Sequence, residues 1–442
     1  MSKPSPTIVV LGASGLIGYA VSHCLMREGF NVVPVARRFS DAQRAQFGNA
    51  AIQCPVVDID ADDLARFLSG HRADLVVNCI GILQDHARAS TADVHGAFVG
   101  RLVAALSRTD DPALLVHVSI PGKEIDDNTP FSVTKRAAER TIAASGIPSI
   151  VLRPGFVLAQ AAYGGSALLR ALAALPVALP VQEREAPFAF TYVDDIARTI
   201  AFAATRWQAG KRDWRESWDV MHPQALTVGL LLAALRQHLG GPRWQVQVPS
   251  WMLRVGARLG DLVSVLGWMP PIRSTALMEM RRGVAGDPAA WMSATGIEPV
   301  SLAQALRLTP ATVQEKWFAR LYLAKALAIC ALVIFWCLSG LIALTVAFTQ
   351  ATAILSAAGF PLVLAQTITI VSSVADILVG LAIARRSTCR RGLVAGISLS
   401  LFYMAGAALF TPQIWIEPLG ALVKTGPAIV LMVTMLAILE DR

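Results

Sequence analysis

The hydropathy of this chain breaks at one place, and that break constrains the fold more than any other feature. Up to Arg320 the apolar runs are short and interrupted by charge; from Tyr322 to Leu439 they are long and nearly uncharged. Four segments there, Tyr322–Phe348, Phe360–Ala384, Gly392–Phe410 and Leu419–Leu439, approach or exceed the roughly 20 residues that cross about 30 Å of hydrocarbon as a helix. A buried soluble helix accounts for one such segment but not for four in succession. Composition agrees with a composite chain: 442 residues, 54% hydrophobic, with a mean hydropathy of +0.52, lie between soluble and fully embedded proteins.

Lysine and arginine in the short loops set the expected orientation. Lys316, Arg320 and Lys325 border the first segment, and Arg385, Arg386, Arg390 and Arg391 fill the loop between the second and third. The other two loops, Thr349–Gly359 and Thr411–Pro418, carry no Lys or Arg. Four spans with both termini and the soluble part on the cytoplasmic side of the inner membrane are therefore expected. The apolar run in MSKPSPTIVVLGASG is too short for a signal peptide. A net charge of +8 suits an anionic leaflet, and no nucleic-acid motif accompanies it. The cysteines form no C-x-x-C pair and the histidines show no ligand spacing, so no metal is expected. Asp376 lies inside the second segment. It reads either as a proton or headgroup site or as a carboxyl bonded to Ser372, Ser373 or a neighbouring helix.

Before the break, β-type and helical patterns alternate. Thr7–Leu11 runs into Gly12-Ala13-Ser14-Gly15-Leu16-Ile17-Gly18 and a helical stretch to Glu28: strand, tight glycine turn, helix. Such a turn lets the backbone approach a pyrophosphate at a helix N-terminus. Further strands are predicted at Asn31–Ala36, Ile52–Val57, Ala73–Val77, Leu114–Val118 and Ile150–Leu152, with helices at Asp62–Leu68, Thr91–Ser107 and Val133–Ala144. The alternation predicts an α/β doubly wound parallel sheet, whose ligands bind beyond the carboxyl ends of the strands. Those ends are Arg37-Arg38, Asp58, Asn78-Cys79-Ile80-Gly81, Ser119 and Arg153-Pro154-Gly155. No acidic residue closes the second strand. Arg37 and Arg38 favour NADP(H) over NAD(H), a solvated basic turn being the rival reading. Pro34 is unexpected in an interior strand.

Gly12–Gly18, Asn78–Gly81, Ser119, Lys135 and Leu152-Arg153-Pro154-Gly155 resemble the short-chain dehydrogenase/reductase superfamily. Within it the chain resembles the atypical branch that includes the nucleotide-binding accessory subunit of respiratory complex I, over roughly Thr7 to Thr309. The tail resembles the DoxX-like membrane family. The resemblance implies that Gly12, Gly15 and Gly18, with Ser14, Leu16 and Ile17 in the same turn, hold the pyrophosphate, and Arg37, with Arg38 beside it, the 2′-phosphate. It further implies that Asp58 approaches the adenine, that Lys135 binds the nicotinamide ribose, and that Asn78, Cys79, Ile80, Gly81, Ser119, Arg153 and Pro154 complete the cofactor crevice. Ser119 and Lys135 would belong to the catalytic set. The family's tyrosine, four residues before the lysine, is Phe131 here. Phenylalanine has no proton to give, so Tyr163 and Tyr192 are the possible substitutes, a packed loop aromatic being the other reading of Tyr163. Asp194 and Asp195 read as a structural N-cap pair for the helix from Ile196.

These readings divide the chain into a Rossmann domain over 1–204, a small substrate-side lobe over 205–315 and a transmembrane domain over 316–442. In Trp251–Trp268, Trp251, Val255, Leu259, Leu262 and Leu266 share one helical face, opposite Arg254, Arg258 and Asp261. That pattern suits either a membrane-surface helix or packing on the soluble core. The expected function is a membrane-anchored NADP(H)-binding oxidoreductase acting on a lipid-soluble substrate, a quinone or quinone precursor. Its partners would be that small molecule, membrane lipids and a membrane protein complex. The alternatives are a cofactor-loaded scaffold or redox sensor, and an epimerase or dehydratase acting on a lipid-linked sugar.

Overall fold

The computed structural model describes residues 5–85, 89–109, 111–416, 420 and 422–439. The chain separates into two compact units: Met1–Asp261 with Pro271–Ala319, and Leu262–Pro270 with Arg320–Arg442.

The first unit is built on a seven-stranded parallel sheet. Its strands are β1 (Thr7–Leu11), β2 (Asn31–Ala36), β3 (Ile52–Gln53), β4 (Leu75–Asn78), β5 (Leu114–Val118), β6 (Ser149–Pro154) and β7 (Arg215–Val220). They stand in the order β7-β6-β5-β4-β1-β2-β3. Alternate residues face opposite layers. Ile8, Val10, Leu75, Val77, Leu114 and Val116 join one core with Ile196, Ile200 and Trp214. Val9, Leu11, Val76 and Leu115 join a second with Leu64, Phe98, Leu102 and Ile142. Burial on both faces is why these strands read as unbroken apolar runs. β7 lies beyond residue 204; it pairs Trp218 with Leu152, and both Trp218 and Trp214, just before the strand, are buried. Its polar composition, RESWDV, hid it from a hydropathy reading.

Pro34 has a geometric explanation. The Ala36 carbonyl accepts from Cys54 on the β3 side, so Pro34, two residues earlier, faces the same way. β3 pairs only from Val35 onward, so the missing N–H lies where no ladder partner exists. The helix expected over Thr91–Ser107 is a π-helical turn, Ala92–Ala97, continuing as Phe98–Leu106. Asp194 and Asp195 are not caps: the helix begins at Val193 and both fall in its first turn. Asp195 accepts from Val300 N at 3.0 Å and pairs with Arg198 at 3.1 Å, a structural role.

The second unit is all helical. Val313–Leu344, which begins before the unit's boundary, Leu362–Ala384 and Cys389–Phe410 are each long and apolar enough to cross a membrane. The fourth predicted span appears, among the described residues, as Thr425–Ile438; its first predicted residue, Leu419, lies outside them. Fourteen residues rise only about 21 Å. The loop expected over Thr349–Gly359 contains a helix, Phe348–Ala357, because its apolar residues pack back on Leu362–Ala384. Ile329, Leu332, Trp336, Ile383, Leu393 and Met432 form the unit's core. The segment before Pro271 is tied in by Trp268 Nε1, which donates to the Ala384 carbonyl at 2.7 Å, and by Arg386 N–H, which donates to Leu266 at 3.0 Å.

Candidate nucleotide site

The turn after β1 has the form of a phosphate cradle. Gly12 adopts φ +83°, a backbone region that a side chain disfavours, and a Cβ on Gly18 would stand 2.3 Å from the Gly12 carbonyl oxygen. These two positions require glycine, and the second lets helix Leu16–Arg27 seat directly on the turn. Gly15 caps that helix with no side chain, so the main-chain N–H groups of its first turn, those of Leu16 and Ile17 among them, are left without a capping oxygen. Anions are favoured at such a terminus.

A cleft of about 710 Å³ opens beside this turn. Gly12, Ser14, Gly15, Arg37, Asp58, Cys79, Ile80 and Gly81 all line it. Free N–H groups at one end, a strand-end arginine, and a long cleft between them fit a dinucleotide. Arg101, from helix Phe98–Leu106, also lines the cleft and donates to the Val57 carbonyl. Sequence reasoning missed it, since a single arginine on a helix carries no pattern that separates it from a solvated one. Arg38 is exposed, and Gly18 packs behind the turn. Asn78 is fully buried and structural: its Oδ1 accepts from Ile80 N–H at 3.1 Å and its amide meets His117 Nδ1 at 3.1 Å.

Helix Pro130–Ser145 delivers Lys135 to the same side of the sheet. Thr129 caps it in a reciprocal bond with Ser132, and Pro130 occupies the first turn, where its missing N–H costs nothing. Lys135 is 5% exposed and its Nζ donates to the Val118 carbonyl at 2.8 Å. Burial lowers its pKa to about 8, against the opposing pull of Cys79 and Glu139. A Cβ on Gly81 would stand 3.3 Å from Lys135 Nζ and 3.5 Å from His95 Nε2, so the Gly81 backbone, Lys135 and His95 share one pocket wall. The Cys79 thiol is pushed up to about 12 by burial, with Lys135 opposing, which makes it an inert lining group.

His95 stands beside Phe131, with ring centroids 5.6 Å apart. Its Nε2 accepts from Ile82 N–H at 3.2 Å, which assigns the ring proton to Nδ1, 2.9 Å from Thr134 Oγ1. Burial and then Lys135 push its pKa down to about 3. His95 is therefore neutral with both nitrogens engaged, and it is not a proton donor in this arrangement. Nothing in the sequence singled it out, because its placement depends on the π-helical turn.

Four expected site residues stand apart from the cleft. Arg153 turns away, Nε and Nη2 donating to Glu139 at 3.1 and 2.5 Å. Buried Glu139 attracts it more strongly than solvent does. Burial opposes the Glu139 carboxylate, but Arg153 and Arg136 outweigh it and hold its pKa below the ordinary value. Ser119 is 5% exposed beside that carboxylate, with its Oγ outside good hydrogen-bond geometry. Pro154 ends β6 and pairs with Val220. Tyr163 sits at the start of helix Gly164–Ala174, where its N–H donates to Ser166 Oγ at 2.9 Å; no described contact joins it to Ser119 or Lys135.

Residues 8–215 match the model of the NAD dependent epimerase/dehydratase family, and residues 333–433 match that of the DoxX-like family. The chain is a fusion of these two domain types. No curated protein matches the chain. Several solved structures share the fold of the epimerase/dehydratase-type part. The UDP-glucose 4-epimerase of Thermotoga maritima, solved with UDP-glucose, is 20% identical, with 69% of this chain and 97% of that one covered and a TM-score of 0.52. The UDP-glucose 4-epimerase of Thermus thermophilus, in complex with NAD, is 18% identical over 69% and 97% of the two chains, with a TM-score of 0.52. The Bordetella bronchiseptica enzyme WbmG, also with NAD, is 14% identical over 72% and 96%, with a TM-score of 0.53. At such identities the likeness is one of fold. The chain thus pairs an NAD-binding type of fold with a DoxX-like membrane domain.

Proposed function

We propose that this protein is a membrane-anchored oxidoreductase that binds NADP(H) and acts on a lipid-soluble acceptor of the quinone class. The observation that carries the reading is that, among the described residues, neither a tyrosine hydroxyl nor a protonated imidazole stands beside Lys135. Phe131 has no hydroxyl, His95 is neutral with both nitrogens occupied, and Lys135 Nζ is bonded to a main-chain carbonyl. A site of this kind suits hydride transfer to an acceptor whose oxygens take protons from water. It suits sugar chemistry less, since oxidising a sugar hydroxyl needs a base at that oxygen.

The cofactor would supply the hydride. The chain's own residues bind and orient: the first-turn N–H groups and Gly12 receive the pyrophosphate, Arg37 the 2′-phosphate, Asp58 the adenine edge, and Lys135 the nicotinamide ribose. The Arg-rich ends of the membrane helices favour four spans with the nucleotide site on the cytoplasmic side. Helix Ser250–Val265 exposes Trp251, Val255, Leu259 and Leu262, consistent with a membrane-surface helix.

The second reading is an epimerase or dehydratase acting on a lipid-linked sugar, favoured by the UDP-glucose 4-epimerases that share the fold. The full-length protein in lipid nanodiscs separates the readings. Turnover of NADPH with short-chain quinones supports the first, and conversion of a sugar nucleotide without net NADPH oxidation supports the second. Tight nucleotide binding with neither activity points to the scaffold.

A further inference from the structure

The membrane unit holds a carboxyl group that no cation among the described residues pairs with. Asp376 lies fifteenth in the 23-residue helix Leu362–Ala384 and is 7% exposed. Its hydrogen-bonding partners are neutral: Tyr403 Oη, 2.8 Å from Oδ1, and the Ser339 side chain. Close packing brings Ser339 there, since a Cβ on Gly340 would come within 2.4 Å of the Ser373 carbonyl oxygen. The facing helices bring Trp336, Cys337 and Ser339 on one side and Tyr403 on the other. Helices Phe348–Ala357 and Thr425–Ile438 contain no acidic or basic residue. The unit's described cations gather at its ends. Lys325 donates to the Ile438 carbonyl, Arg386 to Leu439 at 3.1 Å, Arg390 and Arg391 open helix Cys389–Phe410, and Lys424 precedes Thr425–Ile438. Arg385, at the end of the helix, is nine residues from Asp376 and Lys325 is eleven from Trp336, about 14 and 17 Å along the helices.

Proton counting supplies the argument for the acid form. Tyr403 Oη lies 2.8 Å from Asp376 Oδ1 and 3.2 Å from the Ser372 carbonyl oxygen. A phenol has one proton and a carbonyl none. Both contacts are full hydrogen bonds when Tyr403 donates to Ser372 and the carboxyl donates to Tyr403, which requires the acid form. An ionised carboxylate, desolvated among neutral partners, is costly by comparison. The polar face extends beyond this pair. Ser400 Oγ and Trp336 Nε1 are buried without partners, and a Cβ on Gly396 would meet Trp336 Nε1 at 3.2 Å. Gly396, Ser400 and Tyr403 are a turn apart on one helix, a polar strip about 10 Å long.

We propose that Asp376 is a proton-binding site of the membrane unit, held as a carboxylic acid at neutral pH and hydrogen-bonded through Tyr403 to the Ser372 carbonyl. The ligand is the hydrogen ion, which adds to a carboxylate oxygen and breaks no bond. The site lies wholly within the membrane unit and does not depend on the nucleotide reading. The test is infrared spectroscopy of the full-length protein in nanodiscs at neutral pH, with carbon-13 in the aspartate carboxyls. A protonated-carboxyl band that shifts with the label and is lost in Asp376→Asn is expected. Tyr403→Phe keeps that band but moves it, because the hydrogen-bond acceptor is gone. Absence of a label-sensitive acid band in the wild type overturns the proposal, as does a band that survives Asp376→Asn. Should the Asn variant not fold, a band unmoved by Tyr403→Phe overturns it equally.

Discussion

Arg153 grips Glu139 with two nitrogens, at 3.1 and 2.5 Å, so a residue at the end of a sheet strand serves the protein's interior. Glu139 also accepts from Arg136 at 3.1 Å, and Arg136 in turn pairs with Asp127 at 2.9 Å. Glu139→Gln leaves Arg153 without its paired carboxylate and Arg136 with Asp127 alone, and is expected to destabilise the first unit by about 3 kcal/mol. The depressed pKa of Glu139 gives the sign with pH. Its contribution is present above the ordinary glutamate range and is lost as pH falls through the folded value. The gap in melting temperature between wild type and variant therefore closes in acid; a gap that widens there contradicts the assignment.

Lys135 also has a depressed pKa, but here it is the charged form that burial penalises. Its folded pKa of about 8 lies below the ordinary 10.5, so burying the charged form opposes folding in full below about pH 8. The penalty is relieved as pH rises from about 8 to 10.5, by on the order of 3 kcal/mol in total. Melting temperatures of wild type and Lys135→Met, compared across that window, should show the wild type gaining on the variant as pH increases.

Arg37 lines the cleft at the end of β2, with no carboxylate beside it on that strand. NADPH should bind tighter than NADH, and Arg37→Ala should lose about 1.5–3 kcal/mol of NADPH affinity through the lost charge-assisted contact. NADH affinity should change little. Calorimetric titration of both nucleotides decides it, and equal wild-type affinities would remove the case for NADP(H).

Phe131 sits edge-on to His95, on the helix that carries Lys135. Phe131→Tyr places a phenol in this wall, and the cationic lysine would lower its pKa. Reduction of aldehydes by NADPH should appear in the variant where the wild type has none, while quinone reduction changes less. Tyr163→Phe should leave both unchanged, since Tyr163 makes no described contact with Ser119 or Lys135. Loss of turnover in that variant would return Tyr163 to the site.

Cysteine labelling in intact cells tests the topology. A single cysteine at Ser387, in the arginine-rich loop, should stay protected from an impermeant reagent, and one at Gln413 should react. The reverse pattern inverts the membrane orientation.

The sequence by itself determined the two-part architecture, the parallel sheet and the glycine turn. Each rests on a local or periodic signal: long apolar runs, strands buried on both faces, and a backbone at Gly12 that tolerates no side chain. Tertiary structure alone decided which strand-end residues reach the cleft. Arg37, Asp58 and Gly81 line it, whereas Arg153 is drawn to Glu139 and Asn78 to His117. It likewise brought in Arg101 and His95, whose positions depend on how a helix with a π-helical turn packs across the sheet. Side-chain direction depends on partners distant in sequence, and for a buried charge the nearest countercharge outweighs the position its strand assigns. Asp376 shows both sides of this division. Its depth in an apolar helix is written in the sequence, but its pairing with Tyr403, 27 residues away, exists only once the helices have packed.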